Sequence, residues 1–150
     1  MADFPARLVT PEALLFEEEV ESVILRTGAG DATFLAGHAR LVGSVEPGLL
    51  RFVRADGSEQ RVAVHGGFVQ VESGGRVTVL PPVAELAESI DVDRARSQLE
   101  AAGTRLSELA AEGRTVESSR EDTTTPVDVD VEEAEAARRR AEVRIEVAGG

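Results

Sequence analysis

The sequence predicts an α+β protein in two parts, an N-terminal antiparallel β-sandwich over residues 1–85 and a C-terminal α-helical hairpin over residues 86–150. Three observations carry this. Between Val62 and Pro82, Val62/Val64, Val69/Val71 and Val77/Val79 alternate with their neighbours and are separated by Gly66-Gly67 and Gly74-Gly75. That period of 2 marks strands with one buried face. From Asp91 the apolar period changes to steps of 3 and 4, the spacing of one helix face. No helical period lies between the early strands, which removes an α/β reading.

Taken in order, Ala6–Thr10 is a strand stopped by Pro11, and Ala13–Phe16 a second that runs into an acidic, solvated turn at Glu17-Glu18-Glu19. Val20–Thr27 is a stronger strand, followed by a turn at Gly28-Ala29-Gly30-Asp31 and a return along Ala32–Ala36. Gly37-His38-Ala39-Arg40 bends out to Leu41–Val45. Pro47-Gly48 suits the centre of a type II turn, with Gly48 at positive φ. Leu49–Arg54 and Glu59–His65 form a hairpin across Asp56-Gly57. Gly74-Gly75 suits a two-residue hairpin turn, and Pro81-Pro82 ends the pairing because proline donates nothing to a sheet ladder. Eight to ten short strands at this spacing predict a sandwich.

In the helical part, Ala95, Leu99, Ala102, Leu106 and Leu109 form one stripe, with Asp91 as N-cap and Gly113 at the C′ position. The stretch at about 114–130 is polar, without period, and reads as a disordered or long loop. A second helix is expected from Asp130, with Glu133 as its capping-box partner. Its stripe is Ala134, Ala137, Ala141, Ile145 and Ala148, and Glu135 and Arg139 form an i,i+4 pair. Alanine buries far less area than leucine, so weak docking is expected of this helix.

Composition narrows the function. A formal net charge of −12 argues against nucleic-acid binding and against electrostatic docking on anionic lipid. Aromatic residues make up 3% of the chain, all of them Phe, which leaves little for a stacking platform. There is no cysteine and there are two histidines, so neither a thiolate site, a metal cluster nor a triad is supported. No apolar segment follows Met1–Pro5 as a signal peptide would, and no apolar run is long enough to span a bilayer. The expectation is a cytosolic protein whose membrane association comes through a partner. The glycine pairs are not phosphate loops, since no helix opens behind them.

Several segments occur in one order: Gly37-His38-Ala39, Pro47-Gly48, Gly66-Gly67-Phe68-Val69-Gln70-Val71, Val77-Thr78-Val79-Leu80 and Ile90-Asp91-Val92-Asp93-Arg94-Ala95. That series resembles the epsilon subunit of bacterial F-type ATP synthases, across residues 4 to about 110. The resemblance implies a non-catalytic rotor subunit of the proton-translocating complex. It would sit on the central stalk against the gamma subunit and the c-ring, at the cytoplasmic face of the bacterial cell membrane, and couple c-ring rotation to ATP synthesis. Its hairpin would lie folded, or extend to the alpha/beta head and block ATP hydrolysis. No cofactor is required, but some relatives bind regulatory ATP. The positions matching that site are Asp91 and Arg94, Arg140 and Arg144 in the second helix, and Glu85 beside them. The candidate gamma and c-ring contacts are Gly28, Asp31, His38, Ala39 and Arg40.

Two departures from the family pattern stand out. Arg40 replaces the usual proline after His38-Ala39, and Thr115–Val131 is longer and more polar than the usual connection. The basic residue expected one or two turns after Arg94 is absent, because Ala101 and Ala102 occupy that region. Plain structural readings stand beside the functional ones. Asp91 and Arg94 also suit an N-cap and a local ion pair, Arg138–Arg140 and Arg144 a solvated face, and His38 a turn. The alternative to the rotor subunit is a free-standing β-sandwich interaction module with a helical tail. A small β-sandwich enzyme ranks last.

Overall fold

The computed structural model describes residues 2–114 and 128–149. The part of the predicted polar loop at 115–127 lies outside the described residues. The chain divides into two compact units, one of residues 1–90 with 146–150 and one of residues 91–145.

The first unit is built from ten strands: β1 (Phe4–Val9), β2 (Leu14–Val20), β3 (Ser22–Thr27), β4 (Gly30–Leu35), β5 (Leu41–Ser44), β6 (Gly48–Val53), β7 (Glu59–Val64), β8 (Phe68–Val71), β9 (Val77–Leu80) and β10 (Ala84–Leu86). They form two five-stranded sheets, ordered β2-β1-β9-β8-β5 and β10-β7-β6-β3-β4. The alternation read from the sequence is the alternation of burial. Val62, Val64, Val69, Val71, Val77 and Val79 are each at most 2% exposed. They join Phe4, Leu8, Phe34, Leu50 and Phe52 in one core. Phe16 stacks on Phe52 at 4.2 Å, and the Arg54 guanidinium covers the Phe16 ring at 5.7 Å. That geometry shields an aromatic pair at the core's margin with a cation–π contact.

Four local expectations are corrected. Among the described residues, pairing is antiparallel except between β1 and β9, which run parallel. Those strands are distant in sequence, so no tight turn forces them antiparallel. Glu17-Glu18-Glu19 is not a turn but the middle of β2, paired with Pro5–Arg7. Glu17 lies 3.7 Å from Arg7 and Glu18 2.8 Å from Arg54, so neighbouring arginines let the ladder continue through three acidic residues. Gly48 is not at positive φ. It starts β6 opposite Val64, which rules out the type II turn. The β8–β9 hairpin has a longer loop than two residues: only Gly75 takes positive φ, and Glu72 N–H donates to the Arg76 carbonyl at 2.9 Å.

After a single 3-10 turn at Ala87–Ser89 come α1 (Val92–Ala111) and α2 (Val129–Gly149). Asp91 caps α1 as expected, its Oδ1 accepting from the Arg94 N–H at 3.0 Å. Gly113 is at φ +79°, and the Arg114 N–H donates to the Leu109 carbonyl at 2.9 Å. That is the Schellman geometry, which satisfies carbonyls a helix end would otherwise leave open. The second cap is corrected from Asp130 to Asp128, whose Oδ1 accepts from the N–H groups of Asp130 and Val131. The helix therefore starts two residues earlier than its capping-box pattern suggested. Leu109, Val131 and Ala134 pack as a small core with Leu106 against them. Ala134 and Ala141 are buried as the stripe predicts, while Ala137, Ile145 and Ala148 are half-buried and Val131 extends the stripe backwards. The expected Glu135–Arg139 pair is replaced by Arg138, which meets Glu135 at 2.9 Å and Glu142 at 3.8 Å.

Candidate functional site

Two features of the structure can do chemistry or binding, and each lies within one unit. The first is a cleft between α1 and α2 of about 640 Å³, a size within the range of small-molecule sites. Its α1 wall carries Gln98, Ala101, Ala102 and Arg105, spaced at 3 and 4 residues and therefore on one face. Its α2 wall carries Ala134, Ala137, Arg140 and Arg144, with Asp130 and Glu133 towards the start of that helix. Alanines floor it, so the two backbones come close and leave room above. The Arg144 guanidinium donates to Gln98 Oε1 at 3.1 Å. Since Leu109 meets Val131 and Ala134 further along, the antiparallel register of the walls is fixed at two levels.

Of the sequence-predicted nucleotide residues, Arg140 and Arg144 line this cleft. Asp91 is committed to capping α1, and Arg94 sits in the first helical turn, exposed. Glu85 lies on β10 opposite Ala63, in the other unit. Arg105 and Gln98 were missed. Their only sequence signal was the 3–4 spacing that put them on a face with Ala101 and Ala102.

Beside the cleft's acidic end, Arg114 closes the base of the hairpin. Its Nε and Nη2 contact both Asp128 oxygens at 2.6 and 2.7 Å, and Nη2 reaches Asp130 at 2.6 Å. This bidentate pairing holds the Asp128 carboxyl below the usual aspartate range and raises Arg114 further above its own.

The second feature is the outer face of the first sheet. Phe68 faces outward at 59% exposed, and Leu80, its partner on β9, is 39% exposed. Val42 on β5 shares that side, because it pairs with Gln70, which alternates with buried Val69 and Val71. Phe68, Leu80, Val9, Pro11, Pro81 and Pro82 line a shallow apolar concavity. An exposed aromatic with flanking prolines and aliphatics is the composition of a protein-contact surface.

The sequence-predicted contact residues fall at opposite ends of β4. Gly28 and Asp31 form the β3–β4 hairpin, where Arg26 meets Asp31 at 3.3 Å. Gly28 is beside Ser44, which borders the apolar concavity. His38, Ala39 and Arg40 follow the other end of β4. There the His38 ring approaches Phe34 at 5.0 Å, and its Nδ1 is 2.8 Å from the Ala39 carbonyl. Phe68 was missed as a surface residue because the alternation that buries Val69 was read for its core side alone. Among the described residues there is no cluster of His, Cys, Asp and Glu that could hold a metal ion, and no helix long and apolar enough to cross a membrane.

Residues 3–87 match the family model of the ATP synthase delta/epsilon chain β-sandwich domain. The chain is similar to the ATP synthase epsilon chain of Desulfitobacterium hafniense (strain Y51), 37% identical over 97% of this chain and 96% of that one. It is also similar to the ATP synthase epsilon chain of Symbiobacterium thermophilum, 39% identical over 99% of this chain and 95% of that one. Among solved structures, a chain of the Euglena gracilis mitochondrial ATP synthase OSCP/F1/c-ring assembly shares the fold at TM-score 0.76 and 23% identity, covering all of this chain and 83% of its own.

Proposed function

Since the chain belongs to the epsilon-chain family of ATP synthases, we propose that it is the central-stalk subunit that couples c-ring rotation to ATP synthesis in the head. The observation that carries this is the match to named epsilon chains over 97–99% of its length. Sandwich and helical hairpin are both inside that match. The subunit contributes contact surface, not catalysis, and it is peripheral to the membrane, held there by the complex.

In this reading the apolar face of Phe68, Leu80 and Val42 packs against gamma. The β3–β4 hairpin with Gly28 and Asp31 and the His38–Arg40 loop extend the contact to gamma and the c-ring. The helical hairpin is the regulatory part, inhibiting ATP hydrolysis when it reaches the alpha/beta head. The cleft between α1 and α2 is where regulatory ATP binds. Its size, its alanine floor and the cationic heads of Arg140 and Arg144 fit a flat ring and a polyphosphate. Asp91 and Arg94 at the N-terminus of α1 would complete that site. Bound ATP would supply a ligand free energy favouring the conformation that holds it.

The test is reconstitution with the organism's own alpha–beta–gamma complex lacking this subunit, following binding and ATP hydrolysis together. A truncation after Ile90 isolates the sandwich; an earlier cut would remove β10, which pairs with β7. Tight binding by both forms, with hydrolysis lowered only by the full chain, is the expected result. Binding without inhibition would retain the stalk role and remove the regulatory one. No binding would overturn the assignment.

A further inference from the structure

We infer that Arg114, with Asp128 and Asp130, is a releasable lock on the base of the helical hairpin. It decides whether α1 and α2 stay side by side there, while each helix is terminated without it. The regulatory use of the lock rests on the reading of the hairpin as the inhibitory part. All of its residues lie within one unit. The chain joining the two helix ends is residues 115–127, whereas helix–helix connections in bundles typically take about 2–8 residues. A connection of that length does not by itself press two helix ends together, and closing it costs chain entropy. Contacts among the described residues have to do so. Leu109, Val131 and Ala134 pack together with Leu106 against them. The Arg114 guanidinium meets both Asp128 oxygens at 2.6 and 2.7 Å and Asp130 at 2.6 Å.

The lock is releasable because neither helix end depends on it. α1 ends on its own backbone, with Gly113 at φ +79° and the Arg114 N–H donating to the Leu109 carbonyl. α2 begins on its own cap, Asp128 Oδ1 accepting from the N–H groups of Asp130 at 3.2 Å and Val131 at 3.4 Å. The charges suit each helix alone as well: a cation follows the C-terminal end of α1, and two carboxylates stand at the N-terminal end of α2. Separation therefore breaks the ion pairs and the small core, and leaves both helices intact beyond their end turns. The Arg114, Asp128 and Asp130 side chains are 35%, 21% and 51% exposed, so salt reaches them. Glu112, from the α1 end, is 3.3 Å from the same guanidinium. Without Arg114, that carboxylate faces two others across the base, and attraction turns into repulsion.

The chain has no cysteine, so spin labels at Ala110→Cys and Glu133→Cys, two exposed positions near the lock, report on the base alone. Double electron–electron resonance on the full chain should give one short distance. Arg114→Ala should raise the long-distance population about fivefold or more. Asp128→Asn, which keeps a capping oxygen, should raise it less, because Asp130 still holds Arg114. High salt should open the native chain and not the Arg114→Ala chain. Circular dichroism should show the same helix content in all of them. Distances unchanged by Arg114→Ala would overturn the lock and leave the inhibitory reading standing. Loss of helix in Arg114→Ala would overturn it too, since Arg114 would then be a support of the fold. In the reconstituted complex, Arg114→Ala should inhibit hydrolysis at severalfold lower concentration than the native chain. Equal inhibition by a variant that opens more readily would overturn the regulatory use of the lock. A native chain that binds without inhibiting would remove the regulatory reading, whereas the lock itself is decided by the distances.

Discussion

At the residue scale, Gly67 shows how one position can hold two strands together. A Cβ there would sit 2.5 Å from the Leu80 carbonyl oxygen and from Pro81 Cα, and the residue is at φ +110°. Close backbone approach and a left-handed conformation both exclude a side chain. Gly67 also accepts from the Val45 N–H at 2.9 Å, so it links the start of β8 to the end of β5. Gly67→Ala should destabilise the sandwich by about 2 kcal/mol or more, since backbone, unlike a flexible side chain, cannot move aside. Urea unfolding would measure it. A midpoint equal to the native one would mean that Leu80–Pro81 yields easily. Phe68 follows Gly67 directly, so the same substitution should disturb the apolar face proposed to meet gamma.

At the element scale, the helical hairpin is closed at its base by Arg114. This residue is the C″ position of the α1 Schellman turn, and Asp128 is the α2 cap, so one ion pair joins two helix ends. Glu112 at 3.3 Å and Asp130 at 2.6 Å are the other carboxylates facing that guanidinium. Because the folded state depresses the Asp128 pKa, its contribution is complete above the ordinary aspartate value of 3.8 and fades as pH falls through the lower folded value. The protection factors of the Asp130 and Val131 amides should therefore fall under acid, and Arg114→Ala should show the lower protection already at neutral pH. Unchanged protection in the variant would mean that Asp128 caps α2 without help. High salt should act in the same direction as acid, since the pair is accessible to solvent.

For the whole molecule, the two units differ in how they are stabilised. The sandwich buries valines, leucines and phenylalanines from both sheets in one core. The helical unit packs mainly alanine, with a small cluster at Leu109, Val131 and Ala134. A full-length chain should thus lose helical protection before sheet protection as denaturant rises. Residues 1–90 on their own should melt cooperatively with a β-type circular dichroism spectrum. A fragment that melts without a cooperative transition would show that the sandwich depends on the helical segment. For a stalk subunit this asymmetry is useful: the part proposed to transmit torque holds the larger core, and the part proposed to regulate has little to lose on rearranging.

What the sequence determined by itself was local. Val62–Val79 alternates, Asp91 caps, Gly113 ends α1 and Asp56-Gly57 turns a hairpin, because periodicity and φ are properties of a few neighbouring residues. The ordered set of segments from Gly37 to Ala95 was enough for the family as well. Only the tertiary structure decided which strands became neighbours, and it made β1–β9 a parallel pair. It also chose among the arginines of α2. Arg138 turned to Glu135 and Glu142, while Arg140 and Arg144 took the cleft and Arg105 joined them from α1. A period assigns a side chain to a face, but what that face meets depends on residues far away in the chain. For that reason the core was legible in the sequence, whereas Arg105 in the cleft and Phe68 on the outer sheet were not.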